Sequence, residues 1–266
     1  MRMYKKISIG LILCAVLQPN IASAAAYSDI AGHLDEKYVV GYSDLGLVNG
    51  YPDGTVKPTG DVTRAEVAAI LYRVMDADCV KTYETTRCSF SDVVRGDWFN
   101  LYVATLENAG VIVDTRTNGK FRPNEAITRA ELAAMLAQFA DTKSAPNYFT
   151  DVTANYWAAN AIAVCAKTGW INGYPDGTFG PQRDITRAET ATMINRVLDR
   201  VPSEESHLLS RGVMQIWPDA NPGDWFYLAM QEATNSHDYE RNAKWAAADE
   251  QWTALRETRD WKALEQ

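Results

Sequence analysis

The chain is short of basic residues, of cysteine and of histidine. Its 266 residues carry 26 Lys and Arg against 34 Asp and Glu, a net charge of -8. A non-specific nucleic-acid binder needs a basic face for phosphates, so that class is excluded. The four cysteines, Cys14, Cys79, Cys88 and Cys165, form no C-x-x-C pair and no zinc spacing. His207 and His237 stand without metal-ligand neighbours in the sequence, and no metal or other cofactor is expected. There is no G-x-S-x-G, no H-E-x-x-H and no phosphate loop. Long hydrophobic runs are missing too, apart from one near the start. At 47% hydrophobic and 23% charged residues, the composition is globular and neither disordered nor collagen-like.

What is present begins with a targeting pattern. Arg2, Lys5 and Lys6 precede the apolar run from Ile7 to Leu17 and then Ala22-Ser23-Ala24. A basic start, a short apolar core and an A-x-A site predict a secretory signal peptide over residues 1–24. The run falls short of the roughly 20 residues that span a bilayer. Leu13 is too bulky to precede a lipid-modified Cys14. Removal of three basic residues with this segment leaves 23 basic against 34 acidic residues, a net charge of -11. The mature chain is expected to be exported, without a membrane span. Cys79 and Cys88 flank a short polar stretch and are candidates for a disulfide in that oxidising setting.

An internal repeat organises the rest. Thr-Arg-Ala-Glu occurs at Thr63–Glu66, Thr128–Glu131 and Thr186–Glu189. Upstream of each stands an aromatic-x-Asp segment, with Tyr27 and Asp29, Phe90 and Asp92, and Phe149 and Asp151. Gly46, Gly110 and Gly169 lie between, each twelve residues after Leu34, Trp98 and Trp157 respectively. A Gly-Tyr-Pro-Asp-Gly turn holds Asp53 in the first copy and Asp176 in the third. Units are placed at residues 27–76, 90–141 and 149–200. Such self-similarity marks units that bury their apolar faces on one another.

Each unit reads as helix, turn, helix. Trp98, Tyr102, Leu106 and Ala109 share one helical face, as do Trp157, Ala161 and Cys165; a glycine stop follows each. Cys165 reads as a small buried hydrophobe. The second helix shows i, i+3, i+4, i+7 spacing at Val67, Ile70, Leu71 and Val74, repeated at Leu132, Met135, Leu136 and Phe139, and at Thr190, Met193, Ile194 and Val197. Between the helices, Thr178-Phe179 predicts a very short strand that pairs with its equivalents.

Thr followed three residues later by Glu is a capping box. Arginine in the first helical turn opposes the helix dipole, so Arg64, Arg129 and Arg187 call for another explanation. One is an anion site, where a guanidinium fork joins the free N–H groups of a helix start. The other is a salt bridge to a repeat aspartate such as Asp92 or Asp151. Trp98 and Trp157 divide similarly between the core and a sugar-stacking surface. Asp53 and Asp176 are most simply turn residues, and no alternating acids suggest calcium.

The ordered pattern of aromatic-x-Asp, Trp, Gly, Gly-Tyr-Pro-Asp-Gly-Thr-Phe and Thr-Arg-Ala-Glu resembles the S-layer homology domain of bacterial surface proteins. The likeness covers about residues 27–200. It implies a mainly α fold: three helix-turn-helix repeats in a pseudo-threefold, spindle-like bundle with very short strands. It implies non-covalent anchoring of an exported protein to the cell wall through pyruvylated secondary cell-wall polysaccharide held between repeats, and hence a cell-surface location and no enzyme activity. The family's binding arginine falls on Arg64, Arg129 and Arg187, and its groove tryptophan on Trp98 and Trp157. Asp53 and Asp176 join this candidate set through the turn. Leu34 replaces the first tryptophan, and the second copy offers Asp114-Thr115-Arg116-Thr117-Asn118-Gly119 for the turn, so fewer than three working sites are expected.

Residues 207–266 read as half of a fourth repeat followed by a helix. Trp217-Pro218-Asp219 precedes Trp225 with the Asp-to-Trp spacing of six found in copies two and three, but His237 replaces the glycine. Glu240 to Gln266 is helix-prone, with Trp245, Ala248, Trp252 and Leu255 on one face and Trp261 opposite. The tail is expected either to cap the array or to dock a partner or second copy. Two other functions remain open at this level: a self-assembling surface scaffold and a carbohydrate-active enzyme using paired carboxylates.

Overall fold

The computed structural model describes residues 53–112, 118–200, 202–241 and 250–257. The signal segment, the first half of copy one (with Asp29, Leu34 and Gly46), residues 114–117, and Trp245, Ala248 and Trp261 lie outside them. The described chain is mainly helical, with α1 Arg64–Arg73, α2 Ala77–Tyr83, α3 Asn100–Asn108, α4 Arg129–Leu136, α5 Ala159–Lys167, α6 Arg187–Val197 and α7 Tyr227–Thr234. A two-stranded antiparallel sheet follows, β1 His237–Arg241 with β2 Glu250–Leu255.

The three Thr-Arg-Ala-Glu segments begin α1, α4 and α6 with complete capping boxes. Each Thr Oγ1 accepts the third helical N–H, and each Glu carboxylate accepts the Thr N–H in return. The predicted apolar stripes are buried on all three helices. The first-half helices α3 and α5 end as the glycines require. Gly110 and Gly169 take φ of 63° and 80°, and Val111 and Trp170 donate back to Leu106 and Cys165 at 2.8 and 3.0 Å.

Pairing crosses repeat boundaries. Helix α3 packs on α1, α5 on α4, and α7 on α6, so each second-half helix receives a first-half helix from the unit that follows. Just ahead of the motif, the backbones of the three units close a ring. Ile127 N–H donates to Val62, Ile185 to Ile127 and Val62 to Ile185, at 3.0, 3.0 and 3.2 Å. A second cycle, of opposite sense, runs in the first turn, where Arg64, Arg129 and Arg187 N–H donate to the carbonyls of Glu125, Arg183 and Gly60. This is the pseudo-threefold relation, and it assigns the interunit pairing to Val62, Ile127 and Ile185. The pairing expected at Thr178-Phe179 is thus displaced towards the motif: Phe179 instead donates its N–H to Asp151.

The repeat aspartates anchor these arms. Asp92 accepts from Phe121 and Arg122 N–H at 2.7 and 2.8 Å, and Asp151 from Phe179 and Gly180 at 2.8 Å each. Asp219, in the tail, accepts from Val56 and Lys57 at 3.0 and 2.7 Å.

The helix expected over 240–266 is corrected within the described residues: 240–241 and 250–255 are strand. Helix α7 has no glycine stop; Asn235 is extended, and the chain runs directly into β1. Tyr239 and Trp252 bury into a second small core with Leu208, Met214 and Tyr227. Beneath it, Arg200 bridges Glu232 and Glu250 at 2.9 and 3.0 Å, and His237 stacks on Trp252. His237 therefore does have carboxylate neighbours, contrary to the reading of it as isolated. Glu232, His237 and Glu250 lie close enough to hold a cation, but the Arg200 guanidinium already binds both carboxylates. Cys79 and Cys88 are half-buried and pack against the main core, and burial pushes the Cys88 thiol up to about 11. Cys165 is buried, and its thiol donates to the Ala133 carbonyl.

Candidate functional site

The motif arginines reach across unit boundaries. Arg64 Nε donates to the Phe121 carbonyl, Arg129 to Phe179 and Arg187 to Val56, at 2.6, 2.8 and 2.8 Å. For Arg64 and Arg129 an acidic partner is the motif glutamate of the next unit. Arg64 meets Glu131 at 2.9 Å, and Arg129 meets Glu189 at 3.1 Å. The expected pairing with Asp92 or Asp151 is corrected here: those carboxylates are occupied by backbone N–H groups. All three arginines are buried, Arg64 completely at 0% exposure. Arginine at this helix position is thereby explained by architecture, since a planar fork can hold a carbonyl and a carboxylate at once.

Arg129 also faces a groove of about 630 Å³, within the range of small-ligand sites. Repeat three supplies most of its walls, from Asn172 to Pro175, Arg183, and α6 as far as Arg196. Pro58 and Thr59 come from repeat one, and Trp225 and Phe226 from the tail. Arg129 lies over the rings of Phe179 and Tyr174, 4.6 and 4.9 Å from their centroids, and also donates to the Asn172 carbonyl. Burial lowers its pKa, which Tyr174 and Glu189 oppose. Tyr174 donates its hydroxyl to Glu189 at 2.9 Å while accepting from Arg183; burial and that bond to Glu189 raise the phenol pKa. The Arg183 side chain is 55% exposed.

The groove therefore holds three guanidinium groups, Arg129, Arg183 and Arg196, against one carboxylate, Glu189. That carboxylate is already engaged by Arg129, Tyr174 and the Thr186 N–H. The remaining field is positive within an acidic chain, which suits an anionic group.

Small differences between copies shape this place. Lys57, Arg122 and Gly180 are equivalent and share a left-handed backbone, with φ of 48°, 60° and 68°. Only Gly180 leaves room: an added Cβ would meet Tyr174 Cε2 at 3.1 Å and Arg183 Cδ at 3.3 Å. In copy two, Arg122 instead extends to Glu125 and Glu131. Position 183 is arginine in copy three, glutamate (Glu125) in copy two and glycine (Gly60) in copy one.

A comparison with known families matches the S-layer homology domain at residues 26–68, 89–133 and 148–191. The chain is an S-layer homology domain protein. It is similar to cell surface glycoprotein 1 of Acetivibrio thermocellus, 30% identical over 225 residues, 80% of this chain and 9% of that one. It is also similar to the cellulosome-anchoring protein of the same organism, 31% identical over 201 residues, 73% of this chain and 43% of the relative. A third relative is an amylopullulanase of Thermoanaerobacterium thermosulfurigenes, 32% identical over 182 residues, 65% and 10% of the two chains. The chain thus spans less than half the length of each. These relations make it a secreted, cell-surface protein. No helix among the described residues is long and apolar enough to cross a membrane.

Of the S-layer homology residues expected to bind ligand, the groove gathers only Arg129. Arg64 and Arg187 are buried in equivalent arms. Trp98 and Trp157 precede α3 and α5 and are 58% and 38% exposed, so of the two expected places the core is ruled out; neither lines this groove. Asp53 and Asp176 are exposed and accept from Thr55 and Thr178 within their own turns. Those bonds hold Asp53 at about 2 and lower Asp176. The residues missed were Tyr174, Arg183, Arg196 and Trp225. The position of Tyr174 inside the Gly-Tyr-Pro-Asp-Gly turn was a visible signal; Arg183 differs from both its counterparts, and Arg196 matches Arg73 in copy one but not Gln138 in copy two, so neither carried one.

Proposed function

We propose that the protein is a non-catalytic module that anchors to the bacterial cell wall by binding an acidic secondary polysaccharide, with a pyruvylated sugar as the favoured ligand. The observation that carries this reading is the groove's excess of guanidinium over carboxylate, in a chain whose net charge of -8 would otherwise repel an anion. A ketal carboxylate matches the arginine fork, and a sugar ring matches the aromatic walls. The names of the relatives, a cell surface glycoprotein and a cellulosome-anchoring protein, point the same way. A glycoside hydrolase needs two carboxylates across the scissile bond, whereas a single carboxylate lines this groove.

The test is co-sedimentation of the full chain with purified cell walls, before and after acid removal of their secondary polysaccharide. Binding is expected to intact walls and to be lost on stripping. Arg183→Ala removes an exposed groove cation and should weaken binding about tenfold with an unchanged thermal midpoint. Equal binding to stripped walls would sink the polysaccharide reading, and release of soluble sugar would replace it with an enzymatic one.

A further inference from the structure

One wall of the groove lies outside the three matched repeats. Trp225 follows Asp219 by six residues, as Trp98 follows Asp92 and Trp157 follows Asp151. Asp219 accepts two successive backbone N–H groups from Val56 and Lys57, which is the bonding of Asp92 and Asp151 repeated on the third arm. Helix α7 packs on α6 as α3 packs on α1 and α5 on α4. The tail thus fills the first-half position that serves repeat three. In a cycle of three whole repeats that position would fall to repeat one, whose own residue at the tryptophan place is Leu34.

We infer that residues 217–234 are a working fourth half-repeat of the binding domain, and that Trp225 is a ligand-stacking, specificity-determining residue of the groove. This rests on the saccharide reading given above. Trp225 is 67% exposed and lies against Phe226 edge to face, 5.5 Å between centroids, so its ring is held without being covered. It borders the same groove as Arg129, Arg183 and Arg196. A pyranose with an appended carboxylate presents both features such a site can read: a C–H face for the indole and an anion for the guanidinium groups. Leucine at this place would retain apolar area but offer no π face. Asp219 acts through the backbone, by fixing the arm of Val56 and Lys57 next to Pro58 and Thr59, and is a positioning residue.

The experiment measures the Kd of the full chain for intact and for stripped cell walls, with thermal midpoints, for the wild type and Trp225→Ala, Trp225→Leu, Trp225→Phe and Arg183→Ala. Trp225→Ala and Trp225→Leu should each weaken binding to intact walls about tenfold or more, while Trp225→Phe stays within about threefold. Because the ring is exposed, the midpoints should not move. If Arg183→Ala loses binding but Trp225→Leu binds as the wild type does, Trp225 is no ligand contact and this inference fails while the groove reading stands. If the wild type binds stripped and intact walls alike, or neither, both readings fall together.

Discussion

Arg64, Arg129 and Arg187 are identical in sequence context and differ in what they are free to do. Arg64 is enclosed between the Phe121 carbonyl and Glu131, over the Phe121 ring at 4.9 Å. Arg64→Ala leaves Glu131 buried with less compensation and should cost about 3–5 kcal/mol, measured by denaturant unfolding. Arg64→Lys should recover only part, because a point charge cannot span both acceptors. At Arg183 the opposite split is expected, with binding weakened and stability kept. The sequence placed an unusual cation at each helix start, and that much was legible. Which acceptor it reaches was not, since Phe121 and Glu131 lie 57 and 67 positions further along the chain.

Among the elements, helix ends follow their local chemistry and the tail does not. Gly169 adopts φ of 80° with nothing within 4 Å of an added Cβ. Gly169→Ala should therefore cost about 1–2 kcal/mol from backbone conformation alone, read as a lower thermal midpoint. Gly173 makes a different demand. A Cβ there would meet Phe149 at 2.4 Å and the Thr178 carbonyl at 2.6 Å, so Gly173→Ala should destabilise more than Gly169→Ala and distort the groove's Tyr174 turn. Capping boxes, apolar stripes and glycine stops were all readable because they act within a few residues. Strand β2 escaped notice because its inward positions are Glu250 and Trp252. A buried glutamate hides the alternation that marks a strand, while helix propensity is a weak prior that packing overrides.

At the scale of the molecule, the tail is held by charge in a dry place. Burial raises the Glu250 carboxyl, but Arg200 and the hydrogen bonds from His237 and Arg200 outweigh it and hold the group at about 2. A carboxyl depressed from 4.5 stabilises the fold above pH 4.5, and that contribution is lost as pH falls through about 2. Glu232 is raised by its burial, so its protonation opposes this loss. The thermal midpoint should drop between pH 4.5 and 2, and Glu250→Gln should flatten the drop attributable to Glu250. Closure of the ring supplies a second prediction at this scale. Asp219→Ala frees two backbone donors on the first arm and should lower the midpoint by an amount similar to Asp92→Ala and Asp151→Ala, as scanning calorimetry can compare. By itself, the sequence determined the repeat, the helix starts and stops and the acidic balance, because each is written in neighbouring residues. The tertiary structure decided which unit completes which. Hydrogen bonds from the Val56 and Lys57 N–H groups to Asp219 join positions more than 160 residues apart, and only that closure brings Trp225 to the arginines of a groove it does not adjoin in sequence.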